Sequence, residues 1–243
     1  MPYKNILLIG GTHGNEFTGI KLIKHIQGKP IPGIQPILAN EKAVSKKVRF
    51  IETDLNRSSG KTKPETYEEK LSKVLQSKIM KADFVIEFHN TTAKNNTCAI
   101  VTSRPNSLHF SLAQHFGITK ILIMPPGGSL SGLRSQRFFS LEISNTDFQF
   151  TDIKYLASKL AGVFKIKPVK SKQVKIYQYA NISITKDVIK KIGITLSRLK
   201  NFKRFSSKEV ELLDLPRSQK FYPIFIGEKA YGKSFGFYIA KIV

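Results

Sequence analysis

Cysteine, acidic residues and long apolar runs are all scarce in this sequence of 243 residues. The single cysteine, Cys98, excludes a disulfide within the chain and suits a reducing compartment, so we expect a cytoplasmic protein. The apolar run near the N-terminus, Ile6 to Ile9, is too short to span a membrane or to form the core of a signal peptide. We therefore expect neither a membrane span nor a membrane partner.

The shortage of acidic residues gives the chain a strong positive charge. Its 40 Lys and Arg residues outnumber 17 Asp and Glu residues, for a net charge of +23. Residues 165–243 alone carry 18 basic and 5 acidic groups. Such a field attracts anionic small molecules, nucleic acids and acidic membranes alike. A lysine-rich solvated surface explains the same charge without a polyanionic partner, so charge alone does not assign a function.

The rest of the composition is that of a globular protein, with 41% hydrophobic residues. In the first two-thirds of the chain, short apolar runs typical of buried strands alternate with segments of helical periodicity. The predicted strands are 5–9, 84–88, 97–102, 120–124 and 138–143, and the predicted helices are 17–26, 64–79, 106–116 and 151–164. This alternation predicts an α/β domain over residues 1–168, with a mixed, largely parallel sheet flanked by helices.

The pattern changes after a basic stretch at residues 165–172. Short β-type runs with turn residues between them follow, at 174–179, 182–184, 223–226 and 235–239. We predict that residues 169–243 form a small β-rich C-terminal domain.

A candidate metal-binding pair lies in the segment GGTHGNE, residues 10–16, directly after the first predicted strand. His13 and Glu16 are three residues apart, and glycines on both sides of His13 allow a sharp turn that aims both side chains at one point. One His-x-x-Glu pair is as often structural as metal-binding. His89 follows the predicted strand 84–88, and function gathers beyond the carboxyl ends of strands in an α/β sheet. Two histidines, one carboxylate and an open fourth position are typical of catalytic zinc sites.

Two further groups have residue types suited to chemistry. Arg49 and the sequence Asp-Leu-Asn-Arg at 54–57 offer donors that bind carboxylates, although a turn with solvated charges would have the same sequence. Glu142 lies at the end of an apolar strand, where a carboxylate is either partnered in the core or is an acid/base of raised pKa.

These motifs, in this order and at these spacings, resemble the aspartoacylase and succinylglutamate desuccinylase family, aspartoacylase most closely. The likeness covers residues 3 to about 165 and resumes at EKAY, residues 228–231. It implies a zinc carboxypeptidase-like fold and one zinc ion per chain. The implied reaction is hydrolysis of the amide bond of a small anionic N-acyl amino acid, similar to N-acetyl-aspartate.

The resemblance also implies how the metal and the reacting bond would be handled. His13, Glu16 and His89 would be the zinc ligands. Glu142 would be the general base and acid, and Arg49 would help to polarise the amide carbonyl.

Four more residues are implied in substrate binding. Asn56 and Arg57 would hold the α-carboxylate with Tyr231 nearby, and Arg134 would bind the side-chain carboxylate.

The chain also departs from the usual family pattern. Glu87 stands where the family usually has Asp, two residues before the second histidine. Residues 143–145, Ile-Ser-Asn, replace the usual Val-Gly-Pro, and Leu130 falls near the place of a substrate-facing tyrosine. These differences bear on the choice of substrate more than on the metal.

Two alternatives remain open from the sequence. One is a related hydrolase acting on another N-acyl amino acid, a succinyl amino acid or a C-terminal peptide bond. The other is a basic nucleic-acid-binding protein on a degenerate hydrolase scaffold, with Tyr177, Tyr179, Phe202 and Phe205 as stacking groups. No nucleic-acid-binding motif is found and the metal motif is intact, so we expect no specific nucleic-acid partner. The sequence carries no signal for an oligomeric state.

Overall fold

The computed structural model describes residues 4–167 and 173–243, and within these ranges nine strands form one sheet. In chain order the strands are β1 (Ile6–Gly10), β2 (Ile34–Leu38), β3 (Phe84–Thr91), β4 (Cys98–Val101), β5 (Lys120–Ile123), β6 (Phe138–Ser144), β7 (Lys175–Thr185), β8 (Phe221–Ile224) and β9 (Phe235–Ile242). Their order across the sheet is β2-β1-β3-β6-β4-β5-β7-β9-β8. The pairs β4–β6, β7–β9 and β8–β9 are antiparallel, and the other neighbours are parallel. The predicted mixed, largely parallel sheet is confirmed.

Helices flank this sheet, and their ends follow local capping rules. The helices are α1 (Phe17–Gly28), α2 (Glu41–Lys46), α3 (Tyr67–Lys81), α4 (Ser107–Phe116), α5 (Phe148–Thr151), α6 (Ile153–Gly162), α7 (Lys186–Ile192) and α8 (Ser207–Leu212). The prediction that residues 64 and 65 open the second long helix is wrong. Thr66 is the N-cap of α3, and its side chain and that of Glu69 form a reciprocal capping box, which fixes the start at Tyr67.

The central strands are buried on both faces, as expected for parallel strands covered by helices. Alternate residues of β1 and β3 point into two separate cores. Leu8 packs into the core formed with α1, α4 and α6, while Leu7 packs into the core formed with α3. This layering fixes the carboxyl ends of β1, β3 and β6 side by side, where the polar segments that follow them meet.

The C-terminal strands continue the same sheet, because β7 pairs in parallel with β5. They have a core of their own that includes Ile184, Val210 and Phe237. Helices α7 and α8 interrupt a segment predicted only as β-rich. The predicted boundary between residues 168 and 169 lies outside the described residues, so the division into two domains stays a prediction. None of the described helices combines the length and apolarity needed to cross a bilayer.

Candidate metal centre

The turn between β1 and α1 is shaped by glycines for two different reasons. Gly11 has a φ of 72°, a left-handed conformation that favours glycine. A Cβ on Gly14 would lie 2.1 Å from the carbonyl carbon of Ala43, so only glycine allows α2 to pack this closely. The Gly14 N–H donates to the carbonyl of Arg49 at 3.2 Å. The turn therefore holds His13 over the end of β1 and ties it to the segment that carries Arg49.

The three predicted ligands meet at this edge of the sheet. His13 Nδ1 lies 2.5 Å from Glu16 Oε1, and His89 Nδ1 lies 2.9 Å from Glu16 Oε2. All three side chains are buried. One ring nitrogen of each histidine and one carboxylate oxygen of Glu16 lie within 4.8 Å of one another, so the three side chains could hold a metal ion.

A carboxylate lies behind each histidine ring. His13 Nε2 is 2.9 Å from Asp54 Oδ1, and His89 Nε2 is 3.1 Å from Glu87 Oε2, the latter as an ion-pair contact and not a linear hydrogen bond. Two hydroxyls donate to Glu87 in turn, those of Thr12 and Ser140. Metal-binding histidines are commonly oriented by such a partner on the second ring nitrogen, which leaves the first nitrogen to bind the metal. In both rings that first nitrogen is Nδ1, the atom that faces Glu16.

The charges around this point suit a divalent cation. Burial alone would lower the pKa of His13, but the Glu16 and Asp54 carboxylates raise it above its ordinary value. At His89, burial would likewise lower the pKa, but the Glu87 and Glu16 carboxylates hold it well above its ordinary value. With both histidines neutral, the carboxylates of Glu16, Asp54 and Glu87 contribute three negative charges and the Arg49 guanidinium contributes one positive charge. The net charge of this group is then −2. A divalent cation would neutralise this charge.

Glu142 lies on β6 directly beside His89 on β3. Burial raises the pKa of the Glu142 carboxyl to about 8, and the Glu16 and Glu228 carboxylates act in the same direction against the opposing histidines. A carboxyl group with a pKa near neutrality can both accept and donate a proton under physiological conditions.

Asp54 ties the predicted carboxylate-binding segment to the metal group. Its Oδ1 contacts His13 and accepts the backbone N–H of Asn56 at 2.8 Å, while its Oδ2 accepts from Arg49 Nη2 at 3.2 Å. Arg49 Nη1 also lies 3.5 Å from Glu16 Oε1. From the sequence alone, Asp54 had no role of its own. In the structure its carboxylate orients His13, Asn56 and Arg49 together.

Tyr231 lies in the C-terminal part of the chain, at the end of the short 3₁₀ turn Lys229–Tyr231. Burial raises the pKa of its phenol, the nearby Glu142 carboxylate raises it further, and the Arg57 guanidinium opposes both. The charges of Glu142 and Arg57 therefore both act on the Tyr231 phenol. Arg57 itself is exposed.

Glu228 holds the Tyr231 turn in place and was not predicted as a site residue. Its buried carboxylate accepts the Thr92 N–H at 2.7 Å and the Thr92 hydroxyl at 3.0 Å. It also accepts hydrogen bonds from the Thr91 hydroxyl and the Ala93 N–H. Glu228 Oε1 also accepts the N–H of Ala230 at 3.0 Å, but its partners in the segment after β3 lie more than 130 residues away along the chain, so no local pattern indicated that contact.

The structure does not bring Arg134 to this group, which corrects its predicted role. Its Nη1 donates to the carbonyl oxygens of Met80 at 3.1 Å and Ala82 at 2.5 Å, at the C-terminal end of α3. Ala82 precedes β3, whereas His89 lies near the far end of that strand, roughly 20 Å away at about 3.3 Å per residue. Arg134 therefore satisfies the last carbonyls of α3 and does not face the metal group.

The sequence of the first half identifies the family independently of this geometry. Residues 2–138 match the model of the succinylglutamate desuccinylase/aspartoacylase catalytic domain. The chain belongs to this family. The matched segment contains both candidate histidines and the Asp54 cluster, while Glu142 and Tyr231 lie beyond it.

Two curated relatives carry named activities. A human N-acyl-aromatic-L-amino acid amidohydrolase (carboxylate-forming) is 33% identical in an alignment 133 positions long that covers 47% of this chain and 42% of the human protein. Mouse aspartoacylase is 30% identical in an alignment 146 positions long that covers 51% of this chain and 45% of the mouse protein. The aligned part thus spans less than half of each relative.

Solved family structures share the fold along the whole chain. Murine aminoacylase 3 superimposes with a TM-score of 0.73 at 23% identity, covering 100% of this chain and 96% of that chain. A succinylglutamate desuccinylase from Chromobacterium violaceum gives 0.74 at 14% identity, covering 100% and 85%. The C-terminal strands, which the family model does not match, therefore belong to the shared architecture.

Proposed function

We propose that this chain is a zinc-dependent amidohydrolase that cleaves the amide bond of a small anionic N-acyl amino acid and releases a carboxylate and a free amino acid. The observation that carries the proposal is the meeting of His13, Glu16 and His89 beside Glu142, whose pKa is raised toward neutrality. The names of the family relatives, amidohydrolase and aspartoacylase, support the reaction class.

The donor set suits zinc, with one ion per chain. Two imidazole nitrogens and one carboxylate oxygen are the ligands of open, catalytic zinc sites, and carboxylates behind both histidines complete the arrangement. When bound there, zinc lowers the pKa of water toward about 7 and polarises a carbonyl group.

Glu142 and Arg49 would act on the reacting atoms. Glu142 takes a proton from the attacking water and passes it to the nitrogen of the leaving amine, a transfer that suits a carboxyl with a pKa of about 8. Arg49, already held near Glu16, donates to the amide oxygen as negative charge develops on it.

Asn56, Arg57 and Tyr231 would position the substrate. The Asn56 side-chain oxygen is buried without a hydrogen-bond partner among the described residues, and the Nδ2 amino group is the part of this side chain that can donate to a carboxylate. The exposed Arg57 guanidinium offers a planar pair of donors for the α-carboxylate, and Tyr231 closes the site above it. An anion fixed at Arg57 places the amide bond near the metal group.

The test is hydrolysis of a panel of N-acyl amino acids and dipeptides by the zinc-loaded protein, with the released amine measured directly. We expect turnover of N-acyl amino acids that disappears when zinc is removed by a chelator and returns when zinc is added back. A protein that binds zinc and is folded but releases no amine from any member of the panel would contradict the proposed function.

A further inference from the structure

A recess of about 240 Å³ in the C-terminal part of the chain is lined by cationic side chains that the proposed amidohydrolase function does not use. They are Arg198, Lys200, Lys203 and Arg204. All four are exposed, and no carboxylate among the described residues lies within ion-pair distance of any of them. The acidic side chain in the described lining, Glu209, accepts hydrogen bonds from the N–H and the hydroxyl of Ser206. With four cations and one carboxylate, the recess carries a net charge of +3.

A closed turn holds two of these lysines together. The N–H of Lys203 donates to the carbonyl of Lys200 at 3.0 Å, which closes a four-residue turn over residues 200–203. The first and last Cα atoms of such a turn are less than about 7 Å apart. Phe202, inside the turn, has a φ of 59°, a left-handed conformation that is unusual for a bulky side chain. The fold therefore keeps this turn against backbone strain and against repulsion between two ammonium groups.

Hydrogen bonds to three other segments hold the turn in this strained form. The N–H of Phe202 donates to the carbonyl of Pro223 on β8 at 2.9 Å. The Asn201 side chain donates to the carbonyl of Lys94 at 2.7 Å and accepts the N–H of Ile226 at 2.9 Å. These contacts fix the backbone beneath the cations, so the positive charge is concentrated before any ligand binds. Strained segments that the surrounding structure holds in place are typical of ligand-binding sites.

The side chains suit a ligand with two linked phosphate groups. Each arginine fork can bind two oxygens of one phosphate, and the lysines add point charges beside them. A single phosphate group on a small molecule carries about −1.5 to −2 at pH 7, so one group does not neutralise a charge of +3, whereas two linked groups do. The volume of about 240 Å³ corresponds to roughly eight water molecules. It holds a diphosphate group, and any sugar or base attached to that group would extend into solvent.

We propose that this recess is a binding site for the diphosphate group of a small molecule, separate from the metal centre. None of the described residues that line it belongs to the metal group or to the residues proposed to act on the amide bond. Inorganic diphosphate and a nucleoside diphosphate present the same chemistry to the recess. A nucleic-acid strand carries one charge per phosphate, spread along its length, and matches this local charge less well.

The test is a calorimetric titration of inorganic diphosphate into the zinc-loaded protein at about 0.15 M salt, where exposed charges further apart than the Debye length are largely screened. We expect saturable binding that the double variant Lys200→Gln, Lys203→Gln weakens about tenfold or more, since two charge-assisted contacts are lost. The double variant Lys186→Gln, Lys190→Gln removes the same charge from exposed positions on α7 and should keep the wild-type affinity. Both variants retain the metal centre, so any binding of diphosphate to zinc contributes equally to the two titrations.

Two results of this titration would overturn the site. One is equal diphosphate affinity in the two double variants, and the other is wild-type protein without saturable binding. Orthophosphate that binds as tightly as diphosphate would contradict the requirement for two linked phosphates. All comparisons use variants whose thermal unfolding temperature matches that of the wild type.

Further ligands identify the source of the phosphate groups. Adenosine diphosphate that binds more tightly than inorganic diphosphate would assign the recess to a nucleotide, and equal affinity would assign it to the diphosphate group alone. Both results support the proposal. A single-stranded oligonucleotide that binds more tightly than either ligand, and loses that affinity in the variant of Lys200 and Lys203, would assign the recess to nucleic acid and overturn it.

Discussion

One carboxylate contacts the second ring nitrogen of each histidine of the metal group, and the buried one, Glu87, is the one that differs from the usual family residue. Because its carboxylate contacts His89 Nε2, Glu87→Gln should weaken zinc binding about 10- to 100-fold while the Thr12 hydroxyl keeps an acceptor. Competition with a chelator of known affinity measures the change. Glu41→Gln, at an exposed position on α2, is the control. Equal zinc affinity in the two variants would mean that Glu87 does not orient the histidine.

Glu142 is the residue on which proton transfer depends. Glu142→Gln preserves the shape of the side chain but removes the proton acceptor, so kcat on an N-acyl amino acid should fall by about two to four powers of ten. Zinc content and the thermal unfolding temperature should stay close to those of the wild type. Turnover near the wild-type rate would leave Glu142 with only a structural role.

At the scale of elements, α3 organises the loop that leads to Asp54 and Arg57. The buried Glu68 in its first turn accepts the backbone N–H groups of residues 51, 52 and 53 at 2.7, 3.1 and 3.1 Å. Glu68→Gln should therefore lower the free energy of unfolding by about 1–3 kcal/mol. The exposed Glu65→Gln should change it by less than about 0.5 kcal/mol.

The Glu68 effect should depend on pH in a defined direction. Burial alone would raise the pKa of Glu68, but these hydrogen bonds and that of Asn40 hold it below its ordinary value. A carboxyl with a lowered folded-state pKa stabilises the protein above its unfolded-state pKa and loses this contribution as the pH falls through the folded-state value. Denaturant unfolding of both variants at pH 7 and near pH 3 checks this. If Glu68→Gln lowers the free energy of unfolding by the same amount at pH 7 and near pH 3, the predicted pH dependence is contradicted.

The sequence predicted those strands and helices whose apolar pattern is evident within the segment itself. Strand β1 is a continuous apolar run, residues 84–88 of β3 are apolar except for Glu87, and α3 has apolar residues at helical spacing, so the existence of all three was predicted within a few residues. Strand β2 was not predicted, since Gln35 and Pro36 break its apolar run and proline is tolerated only because β2 is an edge strand. Helices α7 and α8 are too short for periodicity to reveal them.

The metal centre was likewise predictable where its residues lie in local motifs, and not where they contact residues distant in the chain. His13 and Glu16 share one turn, and His89 follows a strand, so strand order alone placed them at one edge. The contacts of Glu228 and Arg134 connect residues far apart in the chain, with separations of 136 and 52 residues for one bond of each. Only the packing of the elements determines such contacts.

At the scale of the whole molecule, the net charge of +23 should act on an anionic substrate by long-range steering. Raising the salt from 0.01 M to 0.1 M shortens the Debye length from about 30 Å to 10 Å. We therefore expect kcat/KM for an acidic N-acyl amino acid to fall with added salt while kcat changes little. A kcat/KM independent of salt would exclude steering.

Nucleic-acid binding would give a different salt dependence. Its affinity would fall linearly on a log–log plot against salt, with a slope of several counterions. An anisotropy titration at about 0.15 M salt should show only weak binding without sequence preference. Submicromolar, saturable binding under these conditions would contradict the steering account.

The most direct test of the account is the zinc content of the purified protein and of three histidine variants. Because His13 and His89 meet at Glu16, elemental analysis should give about one zinc per chain in the wild type and in His25→Ala, a control within α1. His13→Ala and His89→Ala should each lose most of the zinc while circular dichroism shows an intact fold. Full zinc retention in both of these variants would contradict the proposed metal centre.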